Sequence, residues 1–220
     1  MNAIDYVTLE VADTAAAARF YDDAFGLDPS QVRLRGSDAP TTGFRGFTLS
    51  LVVSQPGDVD ALAAAAVDAG ATVLKPAAKS LWGYGGVVQA PDGTIWQLAT
   101  SAKKDSGPVT RNVDEIVLLL GVEDVKACKQ YYVEQGFGVG KSFGGKYVEF
   151  TPGAGTVKLS LYKRRALAKV AGVPVGGTGS HRLVLSCATG PFTDPDGFVW
   201  EATVPATATR PGSPDAHGAD

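Results

Sequence analysis

One phrase occurs twice in this chain. Pro91-Asp92-Gly93-Thr94-Ile95-Trp96-Gln97 returns as Pro195-Asp196-Gly197-Phe198-Val199-Trp200-Glu201. Each phrase closes a segment that opens with an apolar strand pattern, at residues 6–11 and 115–120. A helical pattern ending in an aromatic pair follows each opening, Phe20-Tyr21 in one and Tyr131-Tyr132 in the other. The chain therefore reads as an internal duplication, and a functional site is expected where the two copies face each other.

The bulk properties narrow the function classes. A length of 220 residues suffices for one large domain or two small ones with a real core. A net charge of -3 without any basic run leaves no electrostatic footprint for nucleic acid. The start, Met1-Asn2-Ala3-Ile4-Asp5, enters a strand without a signal-peptide pattern, and no apolar run is long enough to span a membrane. Cys128 and Cys187 lack metal-type spacing and form no disulfide framework, so the reading is a cytoplasmic protein, monomer or homodimer.

Along the chain, residues 2–11 alternate as a strand, with Val7, Leu9 and Val11 on one face and Tyr6, Thr8 and Glu10 on the other. Asp13 or Thr14 caps a helix over 15–25 that Gly26 ends. Strands are expected at 31–35 and 46–53, a helix at 59–68, an aromatic loop at 80–86, and a hairpin of 86–90 with 94–99 around the Pro-Asp-Gly turn. The polar stretch within 101–112 reads as the linker. Copy two repeats the plan with a strand at 113–120, a helix at about 124–135, strands at 146–150 and 157–162, helical 165–170, and a strand at 181–187. From Cys187 to Asp194 it has no room for the second helix of copy one. The organisation is thus 1–101, a linker at 102–111, 112–204, and a tail at 205–220 whose Ala/Thr/Pro/Gly composition reads as disordered.

A strand, a helix ending in an aromatic-Tyr pair, further strands and a closing Asp-Pro-Asp-Gly turn, all duplicated, resembles the vicinal oxygen chelate superfamily. Glyoxalase I, extradiol dioxygenases and the bleomycin-resistance binding proteins share that fold. Asp194-Pro195-Asp196-Gly197 with Trp200-Glu201 carries the likeness most specifically. The resemblance implies an α+β fold: two tandem βαβββ modules whose curved mixed sheets pair around a central cavity. It also implies a site drawn from the first and last strand of each module. Carried over by position, that gives Tyr6 and Gln97 in copy one, Glu115 and Glu201 in copy two, with Trp96 and Trp200 turned toward the helices.

Here the chain departs from metal-dependent relatives, which place His at those first-strand positions. Only His181 and His217 occur, at neither. As metal ligands, Gln97, Glu115 and Glu201 are hard oxygen donors suited to Mn²⁺ or Mg²⁺, while Tyr is a poor one. As a metal-free pair, Glu115 and Glu201 could split their pKa values and act as acid and base. The plainer reading is that these carboxylates hydrogen-bond a ligand or their neighbours. Trp82 and Tyr84 on the Gly-flanked loop, with Phe47 and Tyr147 on strands, offer flat apolar area for a small aromatic molecule. His181 is a candidate base beside Glu201, or a satisfied strand histidine. The leading expectation is a metal-independent binder of a small aromatic or amphipathic molecule through Tyr6, Gln97, Trp82, Tyr84, Phe47 and Tyr147. The alternative is a glyoxalase-like lyase, isomerase or epimerase using Glu115 and Glu201, with or without a divalent ion.

Overall fold

A computed structural model describes residues 1–153 and 157–203; the tail expected at 205–220 lies outside the described residues. Copy one contains β1 (Tyr6–Val11), α1 (Thr14–Phe25), β2 (Val32–Gly36), β3 (Thr41–Gly43), β4 (Phe47–Val52), α2 (Pro56–Asp68), β5 (Thr72–Ser80), β6 (Gly83–Gln89) and β7 (Ile95–Thr100). Copy two contains β8 (Glu115–Val122), α3 (Val125–Glu134), β9 (Val139–Ser142), β10 (Tyr147–Phe150) and β11 (Val157–Lys163). It continues through α4 (Arg164–Ala171), β12 (Gly177–Gly179), β13 (Leu183–Cys187), β14 (Phe192–Thr193) and β15 (Val199–Ala202).

The helices start where short acidic side chains can satisfy free first-turn amides. Asp13 accepts from the Ala16 N–H at 2.9 Å, and Asp124 accepts from Lys126 and Ala127 at 2.8 and 3.1 Å. Gly26 ends α1 in the left-handed region, φ 59°, as the sequence leads one to expect. α2 begins three residues earlier than its periodicity suggests, because Pro56 occupies the first turn, where its missing N–H costs nothing. β5 escapes sequence reading altogether. It carries Pro76, its register shifts twice, and it lies at a sheet edge, the one place a strand tolerates proline. Most of the expected aromatic loop is strand β6, leaving only Leu81 and Trp82 between β5 and β6.

Two sheets share one plan. The smaller has the order β14-β15-β13-β1-β2; the larger has β5-β6-β7-β4-β8-β11-β10-β9. At each centre lies an antiparallel pair, β1 with β13 and β4 with β8. Parallel partners flank each centre: β2 and β15 in the first, β11 and β7 in the second. Each central pair thus joins one strand from each copy. Neither copy owns a sheet.

The two sheets pack through one continuous core. Val7, Leu9, Leu185 and Trp200 of the smaller sheet belong to the same buried cluster as Leu49, Trp96, Leu118 and Leu159 of the larger. The aromatic pairs of α1 and α3 fill that layer: Tyr21 lies 5.6 Å from Trp96, and Tyr132 lies 5.6 Å from Trp200 between ring centroids. Both tyrosine hydroxyls donate to carboxylates next to the repeated turns, Tyr21 to Asp92 at 2.6 Å and Tyr132 to Asp194 at 2.7 Å. The repeated phrase is therefore a packing device that clamps each helix to a turn. Between the sheets these side chains form a filled core, so a ligand must use an outer sheet face or a cleft at the edge of that core, such as the one lined by Asp13, Arg45 and Arg182.

The linker is tied down. Gln55 accepts from the backbone N–H groups of Ser106 and Gly107 and donates to the Pro108 carbonyl, and Asp58 accepts from Thr110 N–H at 2.6 Å. A short ribbon of β3 with β12 joins the copies as well.

Candidate functional site

Neighbouring residues paired across strands share a face, so register decides which side chains meet. Tyr6 pairs with Ser186, and Ser186 with Glu201, one row across the smaller sheet. The matching row of the larger sheet is Val117, Ser50 and Gln97. Tyr6 lies seven residues before the cap Asp13, and Val117 lies seven before the cap Asp124. Val117, not Glu115, is thus the counterpart of Tyr6. Glu115 sits two positions nearer the strand's start, opposite Val52.

The four transferred positions therefore divide. Tyr6 and Glu201 share the smaller sheet; Gln97 and Glu115 share the larger. Trp200 and Ile116, adjacent in sequence to the two glutamates, both point into the common core. Glu201 and Glu115 consequently face opposite sides of the molecule, and the paired acid and base expected of them does not assemble. A joint metal set of Gln97, Glu115 and Glu201 fails for the same reason.

The smaller sheet keeps a polar concave face. Tyr6, Thr8, Val184 and Ser186 form its buried floor. Arg33 from β2 lies over the Tyr6 ring, 3.4 Å from guanidinium carbon to centroid. Arg35 donates to both oxygens of Glu201, at 2.9 and 2.7 Å, and also lies 3.9 Å from Glu10. Strands β1 and β13 separate those two partners, about 14 Å of flat sheet, so the pair meets only because the sheet curls. It spans the groove like a latch. Hydrogen bonding to Arg35 holds the Glu201 carboxyl below the usual carboxylate range. Beneath it the Ser186 hydroxyl is buried and has no hydrogen-bond partner among the described residues.

The larger sheet's concave face is filled instead. Leu167, Ala168 and Ala171 of α4 pack against Val87, Ile95, Val117 and Leu119. Gly121 permits the approach: a Cβ there would stand 3.1 Å from the Arg164 Cα and 3.2 Å from Leu167 Cδ2. Gln97 donates to the Thr48 hydroxyl at 2.8 Å, a bond internal to the protein. Glu115 pairs with Lys158 at 2.8 Å, and Lys158 also lies 3.7 Å from Glu149. Tyr147 bonds Glu149 at 3.0 Å, and its hydroxyl pKa is pushed up to about 12, chiefly by burial.

The remaining aromatic candidates scatter. Phe47 is buried in the core between the sheets. Trp82 is 84% exposed at the β5–β6 tip, and Tyr84 donates to Asp60 of α2 at 2.8 Å. Both ring nitrogens of His181 face backbone carbonyls, Arg45 O at 2.5 Å and Asp196 O at 3.1 Å, and its ring stacks on Phe198 with centroids 4.0 Å apart. Sequence reasoning missed Arg33, Arg35 and Ser186. The alternation of Val32 and Leu34 with Arg33 and Arg35 was the available signal, since it sets both arginines on one strand face.

Among the described residues, the donor set Gln97, Glu115 and Glu201 is not gathered around one point. Where a cation would sit beside Glu201, the Arg35 guanidinium takes both carboxylate oxygens. Among the described residues no cluster of three or more His, Cys, Asp or Glu could hold an ion. Nor is any helix among them long and apolar enough to cross a membrane.

By sequence, the chain matches no protein-family model and no curated protein. By structure, it is similar to glyoxalase I from Zea mays, with 15% identity, 92% of each chain covered and a TM-score of 0.57. It is also similar to a glyoxalase/bleomycin resistance protein/dioxygenase family enzyme from Burkholderia phytofirmans PsJN. That likeness has 20% identity and a TM-score of 0.42, and covers 45% of this chain and 98% of the other. The full-length likeness agrees with the strand topology: this chain has the vicinal oxygen chelate fold, with mixed, curved sheets.

Proposed function

We propose that the protein binds a small aromatic or amphipathic molecule with an anionic group on the concave face of the five-stranded sheet, without a metal. The observation that carries this reading is the unpartnered Ser186 hydroxyl under the Arg35–Glu201 latch. A buried hydroxyl without a partner forfeits roughly 1–3 kcal/mol, and a polar ligand atom beside it recovers that. Arg35 exchanges Glu201 for the ligand's anion, Arg33 and Tyr6 supply a flat surface, and Ser186 fixes orientation. The larger sheet lends itself less to the role, because α4 occupies the equivalent face.

The alternative, a lyase, isomerase or epimerase working through Glu115 and Glu201 or through a Mn²⁺ or Mg²⁺ ion on them, needs both groups at one substrate. Their places on opposite faces favour the binding reading.

Titration with benzoate, 1-naphthoate and indole-3-acetate, followed by backbone amide NMR shifts, tests it. Saturable shifts along β1, β13 and β15 are expected for at least one probe. Arg35→Gln should weaken binding at least tenfold and Ser186→Ala several-fold, while Glu201→Gln, which frees Arg35, should strengthen it. Affinity unchanged in both Arg35→Gln and Ser186→Ala, or no saturable shift with any probe, would overturn the reading.

A further inference from the structure

We infer that a second site, for a phosphate-bearing small molecule, lies in the cleft between the start of α1 and the Pro91–Gly93 turn, held by Arg45 and Arg182. This cleft encloses about 550 Å³, and both arginines line it. That volume falls within the span usual for small-ligand sites. Of the groove residues it shares only Glu10, so it stands apart from Tyr6, Ser186 and Glu201.

The argument rests on uncompensated charge. Arg45 and Arg182 are half-buried, yet neither forms an ion pair with a carboxylate among the described residues. Backbone carbonyls alone hold them: Arg45 donates to Asp92 O at 2.6 Å, and Arg182 to Ser37 O. Each retains a buried N–H group with no partner, Arg45 Nη1 and Arg182 Nε. A desolvated guanidinium without a counter-ion is costly, and two that repel each other are costlier. Burial first, then the charge of Arg182, push the Arg45 pKa below its ordinary value, against the pull of Asp92.

Glu10, Asp13, Asp23 and Asp92 line the cleft too, but among the described residues none forms an ion pair with Arg45 or Arg182. Asp92 accepts from the Tyr21 hydroxyl and the Thr94 N–H, Asp13 caps α1, and Glu10 faces Arg35. Asp23 and Arg19 are exposed at the rim. Arg182 also holds a left-handed backbone, φ 55°, which no other non-glycine among the described residues adopts. Strain of that kind persists where the surroundings fix a side chain for use. Two guanidinium groups on one cleft, neither in a direct ion pair, offer the paired N–H donors that a phosphate's several oxygens can accept, which points to phosphate rather than a single carboxylate. The cleft's size leaves room for an organic portion.

Calorimetric titration with inorganic phosphate and with phenyl phosphate, at ionic strength matched by NaCl, tests the site. Both should bind saturably, and phenyl phosphate more tightly if the cleft takes up the ring; equal affinity would assign the site to free phosphate. Arg182→Gln and Arg45→Gln should each weaken binding at least tenfold, and Arg19→Gln less than twofold. The binding lost in Arg182→Gln should persist in Arg35→Gln, whereas any binding in the groove should not, which separates the two sites. Absence of saturable binding by the wild-type protein, or undiminished affinity in Arg182→Gln, would overturn the inference. Should both arginine variants fail to fold, wild-type crystals soaked in tungstate decide: an anomalous peak between Arg45 and Arg182 supports it, and none there refutes it.

Discussion

Arg35 and Glu201 meet through two parallel hydrogen bonds, and that geometry makes the latch sensitive to pH. The folded-state pKa of Glu201 is depressed, so its contribution is present above the ordinary carboxylate value, about 4.3, and is lost as pH falls through the depressed one. Both side chains are over two-fifths exposed, so the pair adds only about 0.2–1 kcal/mol. Urea unfolding should show Arg35→Gln less stable than wild type by that amount at pH 7, with the gap closing toward pH 3. A gap of the same size at both pH values would assign the loss to packing of the arginine stem instead. At this scale the sequence is partly legible. Tyr6 and Glu201 do share one row of the smaller sheet. Glu115 was matched to Tyr6 by the start of each apolar run, and such runs have no sharp beginning. Counting back from the helix caps, Asp13 and Asp124, would have found Val117, because a cap fixes a residue to a geometric position and a run of apolar residues does not.

The element that most shapes the larger sheet is α4. Its eight residues carry Arg164 and Arg165 in the first turn and no side-chain cap, an arrangement the helix dipole opposes. Tertiary contacts hold it in place. Leu167 is fully buried against the sheet, and Lys75 of β5 donates to the carbonyls of Lys169 and Val170, both at 2.6 Å. Leu167→Ala should therefore cost about 2–4 kcal/mol, and Gly121→Ala about 1–3 kcal/mol by forcing the helix outward. Denaturant unfolding of each variant checks this; a loss below about 0.5 kcal/mol in Leu167→Ala would mean that α4 does not pack the face. The sequence reveals a short helix at 165–170 but not its task. Small or medium apolar residues among basic ones look like a solvated turn until the sheet they cover is known. β5 stayed hidden for a related reason: an edge strand with Pro76 and shifted register has no period to read.

For the whole molecule, the repeat was legible and the ownership of its strands was not. Duplicated phrases announce two equivalent units, and residues 101–112, between the phrases, form neither helix nor strand. Yet β1 finds its central partner in β13, and β4 finds its own in β8, so each sheet is completed across the boundary. Pairing of this sort depends on long-range register, which no local pattern encodes. Its consequence is that residues 1–101 alone leave β1 and β4 each with an open edge. An isolated fragment of 1–106 should give poorly dispersed amide NMR spectra and no cooperative thermal transition, and so should 107–220. Mixed in equal amounts, the two should recover dispersion and a single transition, because complementation restores both central pairs at once. If 1–106 folded cooperatively by itself, the strand exchange between copies would not be what holds this fold together.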